Sequence, residues 1–197
     1  MPKSEPISLA SPFTSEKVAS LKLGRRVTIE GSLIACRGDA LTALSADGVQ
    51  LRRQRGLGLY NAAPLVVGRN GQWRVCSAGP SVSMRSESDL IALIERFGIH
   101  VVIGQGAMGP DMCRACAARS CVYLQTIGLA GVDVAQGIRS VTHANPARAA
   151  QEEDGPWMLE VECIEAIVAI DANGKSLHRR AQLRARRNMA ALRSSGK

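Results

Sequence analysis

Three short segments of the chain carry residue types that could hold a small anion. Cys36-Arg37-Gly38-Asp39, Gly79-Pro80-Ser81-Val82-Ser83-Met84-Arg85 and Gly104-Gln105-Gly106-Ala107-Met108-Gly109 each follow an apolar run. Glycine lets backbone N–H groups come close to a ligand. Arg37 and Arg85 bring planar guanidinium forks, which match carboxylates bidentately. Two such forks on neighbouring loops suit a dicarboxylate. The second segment feeds a helix near Ser86, where free backbone amides favour an anion. Plain turns bearing surface arginines would have the same make-up, because short glycine-rich loops are weak signals.

The elements around these segments decide whether the loops can meet. Residues 25–36 alternate and are β-branched, which predicts a strand. Residues 39–56 read as a helix interrupted at Asp47-Gly48. Two short strands flank Asn70-Gly71, a hairpin signal. Residues 86–98 have Ser86 as N-cap candidate, early acids, apolar residues at helical spacing and Gly98 as a stop. A buried strand follows from Ile99, then a short helix with Pro110 at its first position. Another strand starts at Cys121, then come a helical turn near 131–138 and a strand through "RSVTHA". Residues 145–156 read as a surface loop. The last run, from Trp157, reads as strands with an Asn173-Gly174 hairpin. Strand–helix alternation implies parallel pairing, and small ligands then sit beyond the carboxyl ends of the strands.

Composition narrows the function classes. The chain has 197 residues, 46% hydrophobic, 21% charged and only 3% aromatic. That is ordinary for a folded domain with a core of Val, Ile, Leu and Ala. The scarcity of aromatics argues against stacking platforms for single-stranded nucleic acid. The net charge of +8 is not spread evenly. No acid follows Asp171, and residues 178–197 hold seven positive side chains, leaving 18 positive against 17 negative in residues 1–177. The basicity belongs to a tail, expected to be a solvated, partly helical or disordered extension. The alternative is electrostatic attachment to an anionic partner. A nucleic-acid partner is disfavoured by the neutral body. No apolar run reaches a membrane span, and the first residues lack a secretory apolar core. The expectation is a cytoplasmic protein with reduced thiols.

Cys113, Cys116 and Cys121 form a C-x2-C-x4-C spacing that suits iron–sulfur or zinc ligation. A fourth ligand would have to come from Cys36, Cys76, Cys163 or a histidine. The expected reading is a short helix with buried small thiols, and no metal site. His100, His143 and His178 are expected to be strand or surface histidines.

Order and spacing over most of the chain add a further reading. From about Leu21 to His178 the sequence resembles the C-terminal domain of class I fumarases and the small, separately encoded subunit of two-subunit fumarases and L-tartrate dehydratases. The resemblance is carried by "LKLGRRVTIEGSLIACRGDA", "YNAAP", "AGPSVSMRSESD", "VVIGQGAMG", "VYLQTIGLAGVDVAQGIRSV" and "WMLEVECIEAIVAIDANGKSL". It implies an α/β fold of the swivelling β/β/α type, with mixed sheets and flanking helices. The divisions expected are an arm over 1–20, the domain over 21–178 and a basic tail over 179–197.

The resemblance also implies a hydro-lyase that adds or removes water on a C4 or C5 hydroxy-dicarboxylate of fumarate/malate, tartrate or mesaconate type. In that family a [4Fe–4S] cluster sits in a partner domain, so the cluster is expected on an alpha subunit and not on this chain. A hetero-oligomer, a dimer of heterodimers, is the implied assembly. Arg37 and Arg85 fall on the two carboxylate-binding arginines, with Ser83 beside them as a substrate contact. Ser81 falls on the threonine proposed as base, and Gln105 on the lysine that assists it.

Several positions depart from the family pattern. Serine for threonine keeps one hydroxyl. Glutamine for lysine removes the charge that would stabilise an alkoxide. The residues after Arg37 read Gly38-Asp39-Ala40-Leu41 without the family's Ala-His. Met84 replaces a loop glycine, and Ser86-Glu87 replace Met-Asp. The dicarboxylate clamp is kept while the proton-transfer machinery is thinned. The alternative function is therefore a non-catalytic or regulatory dicarboxylate-binding paralogue.

Overall fold

The computed structural model describes residues 5–46, 55–69, 72–127, 130–144 and 156–195. The loop expected over 145–156 lies almost wholly outside these residues, as do the Asp47-Gly48 break and Asn70-Gly71. Among the described residues, nine strands and six helices run in the order β1 (Ile7–Ala10), α1 (Ser15–Ala19), β2 (Arg26–Cys36), α2 (Gly38–Ala46), β3 (Gly58–Asn61), β4 (Leu65–Arg69), β5 (Gln72–Ser77), α3 (Glu87–Phe97), β6 (Val101–Gly104), α4 (Pro110–Arg119), β7 (Val122–Thr126), α5 (Gly131–Gln136), β8 (Ile138–His143), β9 (Trp157–Ile170) and α6 (Leu177–Ser195). A 3-10 turn over Ser83–Ser86 precedes α3. The fold is mixed α/β, as the alternation of elements predicts.

The main sheet has the order β1-β2-β3-β6-β7-β9-β8, and β9 also pairs with β2. That second pairing closes β2, β3, β6, β7 and β9 into a ring. The neighbours β2–β3, β3–β6 and β6–β7 are parallel, while β9 runs antiparallel to β2 and β7. The strand ends therefore line up. Cys36 pairs with Asn61, and Gly104 with Gln125, so the carboxyl ends of four parallel strands share one rim.

Both faces of these strands are covered, which is why their sequences are continuously apolar. Inside the ring pack Leu33, Ala35, Tyr60, Ile103, Leu124 and their neighbours. On the other face Ile34, Leu59, Val102 and Tyr123 meet the buried sides of α2, α3 and α4. The long strand β9 keeps its apolar side inward by a bulge. Trp157, Leu159 and Val161 point into the core, and so do Ile164, Ala166 and Val168. The parity changes across Glu162-Cys163, where three steps of β9 oppose two of β2 between Ile29 and Gly31.

Four features differ from the sequence expectation, the first being that β3 forms where no strand is expected. The N-terminal segment carries a strand, because β1 pairs in parallel with β2 from Ile7↔Val27 onwards. The final run is one 14-residue strand, not several. Asn173-Gly174 belongs to a turn in which Gly174 takes φ +74° and donates to the Asp171 carbonyl. That turn closes a single antiparallel bridge, Ile170 with Ser176, and then leads into α6 instead of a longer returning strand. The basic tail is thus helical as far as Ser195, as part of the 19-residue α6.

Candidate functional site

The rim at the carboxyl ends of β2, β3 and β6 receives the loop that follows β5. Three backbone hydrogen bonds zip that loop into the rim. The Ser81 N–H donates to the Asn61 carbonyl at 2.7 Å, the Gln105 N–H to the Ser81 carbonyl at 3.2 Å, and the Ser83 N–H to the Gln105 carbonyl at 3.1 Å. Val82 thereby bridges Gln105 in parallel, and Ala62 bridges Pro80. Ser81 and Gln105, 24 positions apart in sequence, become neighbours through their main chains.

Beneath the loop lies a buried polar strut. Asn61 Nδ2 donates to Ser83 Oγ at 3.0 Å, and Ser83 Oγ donates to the Ser81 carbonyl at 3.3 Å. Both side chains are fully buried. Gly104 is required here, because a Cβ at that position would overlap the Ser83 hydroxyl. The start of the loop is held from the other side. The buried Tyr60 hydroxyl donates to the Ala78 carbonyl, and the Ala78 N–H donates to the Gly131 carbonyl at 2.8 Å.

The helices behind the loop are tied together by two carboxylates. Glu87, at the start of α3, accepts from the backbone N–H groups of Gly109 and Met112 at 3.3 and 2.9 Å. It thus caps α4, which has no side-chain cap of its own. Asp89 accepts from the Thr42 and Ser45 hydroxyls of α2 at 2.9 and 3.0 Å. Ser86 sits at the N-cap position of α3 but its side chain makes no capping bond. The 3-10 turn runs directly into the helix and leaves Ser86 out of the extended conformation that a capping serine adopts.

Exposure separates the outer side of the loop from its strut. Arg37, Val82, Met84, Arg85 and Gln105 are exposed, and Ser81 is half-buried. Arg85 lies in the 3-10 turn, four residues after Ser81. Arg37 follows β2, two strands from β6, so its backbone stands about 10 Å from that of Gln105 at the usual strand spacing. Ser81 and Gln105 thus meet through their main chains on one open ledge, Arg85 follows farther along the same loop, and Arg37 leaves the end of β2 on the same rim. Ser83 lies under the ledge with its hydroxyl engaged on both sides.

Acid–base groups next to the ledge are held in their neutral forms. Cys36, directly before Arg37, has its thiol pushed up to about 12 by burial, with the Asp89 charge adding to the effect. It is no thiolate nucleophile at neutral pH. Burial likewise pushes the Tyr123 phenol up to about 12. The half-buried Ser81 hydroxyl and the two arginines are what the ledge itself offers.

The cysteine spacing leads elsewhere. Cys113 is half-buried on α4, while Cys116 and Cys121 are buried. The Cys121 thiol is raised well above its ordinary value, first by burial and then by Cys116. Among the described residues no three His, Cys, Asp or Glu side chains are grouped to hold a metal ion. These residues do not fit an iron–sulfur cluster. His100 bonds through Nδ1 with the Ser120 carbonyl at 2.9 Å, and His143 packs edge-on against Trp157. No described helix is long and apolar enough to cross a membrane.

Sequence reasoning did not assign Asn61, Tyr60 or Glu87 to this arrangement, and read Gly104 only as a loop glycine. The available signal was an amide closing an otherwise apolar strand in "YNAAP".

Comparison with known proteins bears on the same segments. The family model described as Fumarase C-terminus matches residues 2–181. A putative fumarate hydratase class I of Geobacillus stearothermophilus is 33% identical over 173 residues, covering 87% of this chain and 33% of that protein. The chain thus spans about a third of that relative's length. The L(+)-tartrate dehydratase subunit beta of Escherichia coli (strain K12) is 26% identical over 175 residues, covering 86% of this chain and 85% of the subunit. A putative L(+)-tartrate dehydratase subunit beta of Methanocaldococcus jannaschii is 24% identical over 172 residues, covering 84% and 88%.

Proposed function

The chain belongs to the Fumarase C-terminus family, and from that we propose that it is the small subunit of a hydro-lyase acting on a C4 or C5 hydroxy-dicarboxylate. In this reading the fold is the swivelling β/β/α domain of that family, paired with a separate cluster-bearing subunit in the cytoplasm. Relatives named as beta subunits, matched over most of their own length, support the pairing.

The observation that carries the proposal is the backbone zipper that sets Ser81 beside Gln105, with Arg85 on the same loop. Arg37 and Arg85 take the two carboxylates as charge-assisted forks. The Ser81 hydroxyl faces the carbon from which the proton leaves, and the Gln105 amide orients the substrate with its N–H groups. We assign Ser83 to holding the loop, since its hydroxyl is used internally. The ledge is open, so it excludes water only when a second surface covers it. Among the described residues no His, Cys, Asp or Glu grouping fits a cluster, and we place the [4Fe–4S] group on the partner. When bound there, it supplies a Lewis acid that eases loss of hydroxide.

The test is reconstitution of the chain with a cluster-bearing subunit over a panel of hydroxy-dicarboxylates. Turnover that disappears in Arg85→Ala is the expected result. A complex that forms and turns over none of the panel would overturn the enzymatic reading.

Gln105 favours a second reading, a regulatory subunit that keeps the clamp. A dipole stabilises a developing anion less than a full charge does. In a weakened enzyme Gln105→Lys raises turnover with little change in substrate affinity. In a regulatory subunit the same change gives no gain.

A further inference from the structure

The strongest feature outside the ledge is α6. Residues 179–193 are exposed throughout, and the family match ends at residue 181, so most of the helix is additional to the family domain. At 100° per residue, its side chains sort into stripes. Ala181, Ala185, Met189 and Leu192 form one apolar stripe, while Leu183, 47% exposed, stands apart on the opposite face between the arginines. Arg179, Arg186 and Arg193 run along one side of it at seven-residue spacing. Arg180, Arg184 and Arg187 run along the other. Met189 is 55% and Leu192 72% exposed. Among the described residues none of these six arginines makes an ion pair. A cavity of about 620 Å³ lies at the base of the helix, lined by Lys175, Arg180, Arg184 and Arg187 among others and by no carboxylate.

We infer that α6 is a docking helix that seats in an apolar, carboxylate-rimmed groove of the cluster-bearing subunit. The inference rests on the proposed two-subunit reading. An apolar stripe flanked on both sides by arginines asks for apolar contact and negative charge together. A groove on a protein supplies both. A phosphate backbone answers the arginines but leaves Met189 and Leu192 unexplained. A lipid surface asks for bulkier anchors than Ala181 and Ala185, and the helix has no aromatic residue. A second copy of α6 would set arginine rows against one another. Alanines in the stripe instead permit close approach of a partner's backbone.

The test starts from the tagged full chain purified with its partner from source cells, the partner identified by mass spectrometry as a cluster-bearing hydro-lyase subunit. Affinity between the separated subunits is then measured at low and high salt. The triple variant Arg179→Glu/Arg186→Glu/Arg193→Glu is expected to weaken binding on the order of 100-fold. Lysine at the same three positions is expected to keep most of the affinity. Met189→Ser/Leu192→Ser is expected to cost about tenfold. Glutamate is a good helix former, so circular dichroism should show α6 intact. Unchanged affinity in the triple variant overturns the inference and leaves the hydro-lyase reading standing. The absence of any cluster-bearing partner overturns both. Loss of binding to duplex DNA, or to phosphatidylglycerol–phosphatidylcholine vesicles, with partner affinity unchanged assigns the helix to those surfaces instead.

Discussion

Arg85 and Arg186 are both exposed, yet they are held in very different ways. Arg85 projects from a 3-10 turn whose preceding residues are zipped between two strand ends. Beneath it stand the fully buried Asn61 and Ser83, and behind it Glu87 and Asp89 tie three helices together. Arg186 projects from a helix whose surroundings are solvent and other arginines. The first arrangement fixes a direction. The second supplies charge and one apolar stripe, with direction left to whatever binds. A small ligand needs the former, because its few charges must each find a partner within hydrogen-bond reach. A macromolecular surface can use the latter.

The largest effect that separates the two regions is on ligand binding. Arg85→Ala and Arg37→Ala should each weaken dicarboxylate binding in the assembled complex by about 2–5 kcal/mol, the usual cost of breaking a desolvated charge pair. Arg186→Ala should leave it unchanged. Isothermal titration of the complex with a non-reacting dicarboxylate reads all three. Equal losses at Arg85 and Arg186 would mean that general positive charge, not the ledge, holds the ligand.

Next comes the strut. Gly104→Ala should destabilise the isolated chain by about 1–3 kcal/mol, as overpacking of a filled site does. The added methyl group meets the Ser83 hydroxyl, with Tyr123 Oη at 3.1 Å and Ser83 Cβ at 3.2 Å. In a Ser83→Ala background the same change should cost less, and the double-mutant cycle in urea gives the coupling directly. Additive losses would show that the loop is not braced as described.

The contrast also explains what was legible in the sequence. The strands β2, β6 and β7 and helices α3 and α4 could be read because apolar spacing, Gly98 and Pro110 act locally. The three anion loops could be read because glycine, arginine and hydroxyl types cluster there. The zipper could not. It depends on β3 and β6 being neighbours while β4 and β5 leave the sheet as a separate hairpin, a pairing choice that no local pattern encodes. For the same reason Ser83 resembled a ligand contact in sequence, although its 0% exposure puts it under the loop. Ser86 resembled a cap because residue type says nothing about a 3-10 turn running into the helix. The tail's charge was plain from composition. Its helical form was open, since a block of like charge suits a solvated helix and a disordered extension equally.

A smaller effect should appear at high pH and arise in the buried body of the chain, not in α6. Burial holds the Cys36 thiol and the Tyr123 phenol at about 12 in the folded state. Both lose protons earlier in the unfolded chain. Their contribution to stability is therefore full below about pH 9 and falls as pH rises towards 12, by on the order of 1 kcal/mol at pH 10 for the thiol. Urea midpoints from pH 7 to 11 should decline, and Cys36→Ala should make the decline shallower, the buried Cys121 thiol contributing in the same direction. Ending the chain before α6 should not alter the slope, because arginine stays charged throughout. An unchanged slope in Cys36→Ala would place the titrating group elsewhere.

The smallest effect is expected in α6 and has the opposite sign from those at the ledge. Arg184 has Arg180 four residues before it and Arg187 three after it, so it faces like charge on both sides. Such pairs each cost a helix a few tenths of a kcal/mol, and opposite charges at the same spacing return a similar amount. Arg184→Glu converts both pairs to attractive ones. Since the helix makes few packing contacts along its exposed length, the gain should stay local. Amide exchange over residues 180–190 of the isolated chain should slow by a few-fold, while the Tm of the core stays within error. Faster exchange, or a lower Tm, would mean that Arg184 already has a partner within this chain, and the distinction between a directed site and a free helix would fail at its simplest point.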